Sequence, residues 1–241
     1  MTTPPSKHRK TYRVKAVWKT LQGEGFFAGR PAVFARFVGC NMWSGYEQDR
    51  QRDAERTGAA CARWCDTDFT KEKSQAYTAE ALAAHMRAVG GAIRFCVLTG
   101  GEPLLQVDAP LIHALHAAGF RVAIETNGAM ALRDACWDDA LEQIVAPDWI
   151  VCSPKLAPQH LALEYFDELK LVVPDYRPQD FAAFAERRRR HTTGDLDVPL
   201  LWVQPEDGPR REAATKLAVE TALAHPAWRV SLQTHKMLGV E

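Results

Sequence analysis

From Thr78 to Gln233 the chain alternates short apolar runs with amphipathic stretches, and almost every apolar run stops in a cluster of small, polar or charged residues. That alternation limits the fold more than any single motif. Strands separated by helices pair in parallel through right-handed crossovers, and in such folds sites form at the carboxyl ends of the strands. The pattern predicts strands at 93–99, 121–126, 149–152, 168–173, 200–203 and 228–233, with helices at 79–89, 109–118, 132–143, 179–189 and 209–224. Thr78 is placed as an N-cap and Gly119 as a helix stop. Two further strands are expected upstream, at 12–20 and 32–38. Five clusters should then meet on one rim: Cys40 and the stretches 100–102, 125–127, 153–155 and 204–207.

A length of 241 residues suits one α/β domain spanning 1–241. A disordered tail is expected over 1–10. The segment 44–60 is dense in charge without an apolar period, and reads as an exposed insertion folded back toward Cys40. Basic and acidic residues balance at 30 each, so no polyanion partner is indicated. The basic run Arg187–Arg190 suits a helix C-terminus and a solvated face better than RNA. No apolar run approaches 18 residues and the N-terminus is polar, so neither a membrane span nor a secretory signal is expected. A cytoplasmic protein follows.

Six cysteines in such a chain do not make a disulfide scaffold. Cys96 and Cys152 lie inside apolar runs as small hydrophobes, and Cys136 is isolated. Cys40, Cys61 and Cys65 are different. Cys40 follows a strand at once, and Cys61 and Cys65 close a loop after it. Structural zinc sites usually take four Cys or His ligands. Three thiolates without a fourth suit a [4Fe–4S] cluster with one open iron. A structural, non-catalytic thiolate–metal protein stands as the rival.

The cysteine set, Thr99-Gly100-Gly101-Glu102-Pro103 and Ser153-Pro154-Lys155 resemble the radical S-adenosylmethionine (SAM) superfamily. Within it, Leu21-Gln22-Gly23-Glu24-Gly25, Cys40-Asn41-Met42-Trp43-Ser44-Gly45, Cys65-Asp66-Thr67-Asp68 and Leu232-Gln233-Thr234-His235-Lys236 resemble the 7-carboxy-7-deazaguanine synthases. The resemblance runs from about Val14 to the C-terminus. It departs from the superfamily in spacing: the common C-x3-C-x2-C is here Cys40-x20-Cys61-x3-Cys65. Synthases with a long first gap are known, and the three-residue second gap bears on the local backbone rather than on the ligand set.

The resemblance implies an incomplete (β/α) barrel with parallel strands and helices outside. It implies conversion of 6-carboxy-5,6,7,8-tetrahydropterin to 7-carboxy-7-deazaguanine with loss of ammonia, in the 7-deazapurine route toward queuosine. The cluster would bind SAM and generate a 5′-deoxyadenosyl radical, and SAM would be regenerated. Cys40, Cys61 and Cys65 would hold the cluster. Trp64, Cys65, Asp66, Gly101, Glu102, Glu125, Asn127, Ser153, Pro154, Lys155, Gln204, Pro205, Glu206 and Asp207 would hold SAM. Gly101 would let the backbone approach it. Arg36, a charge inside an apolar strand, suits a bidentate grip on the substrate carboxylate. Leu21, Gln22, Gly23, Glu24, Thr99, His235 and Glu241 would complete the pterin site, and Thr67 would bind Mg²⁺, which keeps most of its waters. A homodimer and an external reductant such as flavodoxin are also implied. A radical SAM activase of a glycyl-radical partner is the nearer rival; it should show a broad open face instead of a buried carboxylate grip.

Overall fold

The computed structural model describes residues 10–188 and 200–240. Glu241, the tail up to residue 9 and the far end of the Arg187–Arg190 run lie outside the described residues. Lys10, expected in the tail, is tied down: its Nζ donates to the Asp108 carboxylate (2.7 Å) and to the Gln106 carbonyl (2.9 Å).

In chain order the elements are β1 (Tyr12–Leu21), β2 (Pro31–Phe37), α1 (Arg50–Thr57), β3 (Gln75–Tyr77), α2 (Ala79–Gly90), β4 (Phe95–Gly100), α3 (Ala109–Ala117) and β5 (Arg121–Thr126). They continue as α4 (Leu132–Cys136), β6 (Trp137–Asp138), β7 (Gln143–Ile144), β8 (Trp149–Cys152), β9 (Glu168–Val173) and α5 (Pro178–Arg188). β10 (Leu200–Pro205), α6 (Arg211–Ala224), β11 (Trp228–Val230) and α7 (Thr234–Leu238) complete the chain. One sheet runs in the order β11-β10-β9-β8-β5-β4-β2-β1-β3. From β2 to β11 all pairings are parallel, while β1 pairs antiparallel with both β2 and β3. The two edges do not pair, so the sheet is an incomplete (β/α) barrel.

Period-two alternation divides the strands between two cores. Val33, Ala35, Leu98, Val122, Ile150, Leu169 and Leu171 face outward and pack under the helices. Phe34, Val97, Ala123, Val151 and Trp202 face inward and fill the floor of the barrel. The loop after β1 plugs that floor, with Phe27 against Phe95 and Trp149 at ring-centroid distances of 4.8 and 4.9 Å. The helices start where side chains can cap them: Thr78 accepts from Ala81 N (3.2 Å) and Asp108 from Leu111 N (3.1 Å).

Two expectations are corrected. The helix predicted at 132–143 ends after five residues. Asp138 accepts from Ala140 N and Leu141 N (2.9 and 3.1 Å), and this local turn competes with the helix and folds β6 onto β7. The strand predicted at 228–233 stops at Val230, and the chain turns into α7. The insertion 44–60 carries a short helix, one of the two forms open to a charged, exposed segment. Its α1 buries Asp53, which accepts from Ser44 N (2.7 Å), and Ala54 and Ala59 pack with Met42, Trp43 and Phe69 in a small separate core.

Candidate active site

Above the apolar floor, the same alternation aims polar side chains inward at the carboxyl ends. Arg36 stands two residues beyond Phe34, Thr99 beyond Val97, Glu125 beyond Ala123, Ser153 beyond Val151 and Gln204 beyond Trp202. Arg36 and Thr99 are register partners on neighbouring strands. Two cavities occupy this end of the barrel and share the walls made by Glu24, Asp66, Thr67, Thr99 and Glu125.

The larger cavity, about 350 Å³, is lined by Leu21, Gln22, Gly23, Glu24, Arg36, Thr99 and His235. These are the predicted substrate residues apart from Glu241. The Arg36 guanidinium lies over the Trp18 ring at 4.8 Å, and both side chains line the cavity. Gln22 Nε2 donates to Glu125 (3.0 Å), and Gln22 Oε1 accepts from Glu24 N (3.1 Å). Glu24 accepts from Gln233 Nε2 (2.8 Å) and forms a buried ion pair with Lys170, whose side chain is 4% exposed. Burial pushes the Glu24 carboxyl up, but the Lys170 ammonium outweighs it and holds the group down to about 2; the same pair moves Lys170 upward. The C-terminal segment covers this cavity. Thr234 N and Oγ1 donate to Gly23 O (2.9 and 3.0 Å), and His235 lies so close to Gly23 that a Cβ there would meet its Nδ1 at 1.9 Å.

The second cavity, about 190 Å³, brings Cys40, Cys61 and Cys65 together with Trp64, Asp66, Gly101, Glu125, Asn127, Ser153, Lys155 and Gln204. The x3 spacing has a simple explanation. Cys65 N donates to Cys61 O (2.8 Å), so the two cysteines are one helical turn apart and share a face. Cys40 Sγ accepts from Met42 N (3.4 Å). Burial pushes the Cys40 thiol up to about 11 and the Cys61 thiol up to about 12, so metal binding as thiolates displaces protons. Lys155 Nζ donates to Ser153 Oγ (2.8 Å), and burial pulls its ammonium down. Thr67 lines both cavities.

Of the residues expected to hold SAM, Glu102, Pro154, Pro205, Glu206 and Asp207 lie outside the lining of the thiol cavity. Glu102 is fully buried behind the wall and accepts from Leu104 N (3.0 Å), Thr126 Oγ1 (2.8 Å) and Asn127 N (2.7 Å). It braces the β4 and β5 loops. Burial raises its pKa. Glu102→Ala is expected to destabilise the fold by about 1–3 kcal/mol for each orphaned backbone donor, read as a lower denaturant midpoint. Pro154 does not line the cavity. Pro205, Glu206 and Asp207 border a neighbouring surface cleft; Glu206 and Asp207 are engaged by Arg210 and Lys236. The lack of a side chain at Gly101 serves a different neighbour: a Cβ would meet Gly39 O at 2.0 Å and Cys40 Cβ at 2.8 Å, so the residue lets β4 press against the Cys40 limb. Lys170, Gln233 and Lys236 were missed. Lys170 carried the same signal as Arg36, a charge inside an apolar strand.

Three thiols around one cavity, with glycine backbone opposite, fit an iron–sulfur cluster. Among the described residues no three His, Cys, Asp or Glu side chains gather closely enough to hold a single metal ion.

An open parallel barrel with three thiols at its strand ends, beside a polar cavity, defines an α/β enzyme of the radical SAM type. The chain is 46% identical over 237 residues to 7-carboxy-7-deazaguanine synthase of Burkholderia multivorans, covering 95% of this chain and 99% of that protein. It is 46% identical over 242 residues to the Caulobacter vibrioides synthase, with the same coverage. The Escherichia coli synthase is 31% identical over 255 residues, 95% of this chain and 99% of its own. The crystal structure of QueE from Escherichia coli superposes with a TM-score of 0.61 at 28% identity, over 92% of this chain and 94% of that one. No protein-family model matches. The chain belongs to the 7-carboxy-7-deazaguanine synthase family.

Proposed function

We propose that this chain is a carbon–nitrogen lyase that converts 6-carboxy-5,6,7,8-tetrahydropterin to 7-carboxy-7-deazaguanine, in the route toward queuosine. The observation that carries the reading is the shared wall between a three-thiol cavity and a cavity lined by Gln22, Glu24 and Arg36. The substrate loses the elements of ammonia and nothing else, so no net oxidant is needed. Reductive cleavage of the SAM sulfonium, with hydrogen taken from and returned across the shared wall, is the chemistry that the [4Fe–4S] cluster and SAM supply when bound.

The chain's own residues bind and orient. Arg36 grips the substrate carboxylate through its fork. Gln22 and Glu24 read the pyrimidine edge of the pterin, and Glu24, held ionised by Lys170, accepts from its ring donors. The Thr234–Leu238 helix closes over the ring and keeps water out. Asp66, Asn127, Ser153, Lys155 and Gln204 line the space for SAM. Thr67 offers a hydroxyl to Mg²⁺ where both cavities meet. A homodimer, a flavodoxin-like reductant and a cytoplasmic setting belong to the same reading. Among the described residues no helix is long and apolar enough to cross a membrane.

The test is anaerobic turnover of the reconstituted, reduced protein with SAM and the tetrahydropterin. Mass spectrometry should find the deazaguanine acid and ammonia, with SAM not consumed in proportion. Stoichiometric loss of SAM without a deazapurine would sink the assignment. Adding Mg²⁺ to metal-stripped protein should raise turnover; unchanged turnover removes the metal from Thr67.

A further inference from the structure

The long gap between Cys40 and Cys61 poses a physical problem. Before any cluster arrives, two separate limbs of chain must stand at the right distance, and a free loop of this length makes that entropically costly. The insertion is folded in a way that addresses this. It contributes α1, whose C-terminus is closed by Gly58 in the left-handed region (φ 74°), and its Ala54 and Ala59 pack with Met42, Trp43, Cys61 and Ala62.

One side chain of α1 touches both limbs. Arg50 Nη1 donates to Ala62 O (2.9 Å) and Nη2 donates to Cys65 O (2.9 Å), which grips the turn that carries Cys61 and Cys65. Its guanidinium also lies 4.4 Å from the centroid of Trp43, three residues beyond Cys40. Nε donates to Glu47 (2.7 Å). All three nitrogens of the fork are engaged, and the side chain is only 22% exposed. By contrast, Arg52 and Arg56 on the same helix are over 60% exposed and pair only with Asp49 and Asp53.

The geometry points to Arg50 as the positioning residue that sets the Cys40 limb against the Cys61–Cys65 turn, so that the inserted segment serves as a built-in clamp for the cluster. A planar fork that bonds two carbonyls while stacking on an indole is a task for arginine; lysine offers a point charge and cannot do both. The inference rests on the cluster assignment proposed above.

The experiment uses the full chain, reconstituted anaerobically with iron and sulfide, and follows iron release into a chelator together with the electron paramagnetic resonance (EPR) signal of the reduced cluster. Arg50→Gln and Arg50→Lys are both expected to release iron at least about tenfold faster than wild type, the scale of losing a single charge-assisted bond. Both should alter the reduced signal, because the thiolates are set differently around the cluster. Arg56→Gln should leave both readouts as in wild type. Should the glutamine variant not fold by circular dichroism, the lysine variant, which keeps the charge and stem, carries the comparison. Wild-type release from Arg50→Gln, full rescue by lysine, or equal loss in Arg56→Gln would each overturn the clamp. A wild-type protein that takes up no four-iron cluster would instead overturn the cluster assignment.

Discussion

Cys61→Ala is expected to abolish iron–sulfur incorporation and with it all turnover. Cys61 is 4% exposed, shares one turn with Cys65 and lies in the cavity that also holds Cys40. With three protein thiolates available, loss of one leaves two, and no His lines that cavity to take its place. The check is iron and sulfide content beside product formation. The contrast is Cys96→Ala. Cys96 is equally buried, yet it faces the helix-covered core on the far side of β4. That change should keep full iron content and cost about 1 kcal/mol or less of stability. Equal loss of iron in both variants would mean that the first effect was unfolding rather than lost ligation.

Lys170→Met should have the second largest effect. The substitution leaves the Glu24 carboxyl buried without the cation that faces it, and breaking a buried pair from one side typically costs about 3–5 kcal/mol. The pH dependence gives a sharper signature. In the wild type the Glu24 pKa is held down to about 2, so its stabilising contribution is present above its usual value of 4.5 and is lost as pH falls toward 2. In the variant, burial acts against the charged form, opposed by the remaining hydrogen bond from Gln233 and by the more distant His235 and Lys155. The folded-state pKa then rises, the folded state binds the extra proton, and stability falls as pH rises. Denaturant midpoints between about pH 5 and 8 should therefore slope downward in the variant relative to wild type. KM for the pterin should rise with little change in the thiol-bound iron. A parallel shift at every pH would show that Lys170 acts only as packing.

These two variants also separate what was legible in the sequence from what was not. Cys40 and the glycine loop after β4 stand at strand ends, and a strand end in a parallel sheet has only one rim to reach; β5, β8 and β9 begin and end where their apolar runs do. Lys170 stands in a buried strand that also begins with a charge, Glu168, and its partner lies 146 positions away, so the charge was legible and the pairing was not. For Glu102, a motif carboxylate reads as a site group, and only the three-dimensional path of Leu104, Thr126 and Asn127 shows that two backbone N–H groups and a hydroxyl occupy it. A short helix was open to the charged insertion, but its partial burial was not legible, because Asp53 and Arg50 are satisfied by Ser44 N and by the carbonyls of Ala62 and Cys65. The helix expected at 132–143 failed for a local reason, the Asp138 turn. A cavity lined by Gln22, Glu24 and Arg36 also differs from the broad open face that a protein-activating enzyme would need.

The most direct test of the whole account is low-temperature EPR and Mössbauer spectroscopy of the anaerobically reconstituted protein, reduced, with and without SAM. A four-iron cluster with one iron whose signature changes when SAM is added is the predicted result. A single-metal thiolate site, or a four-iron cluster that does not respond to SAM, would contradict it.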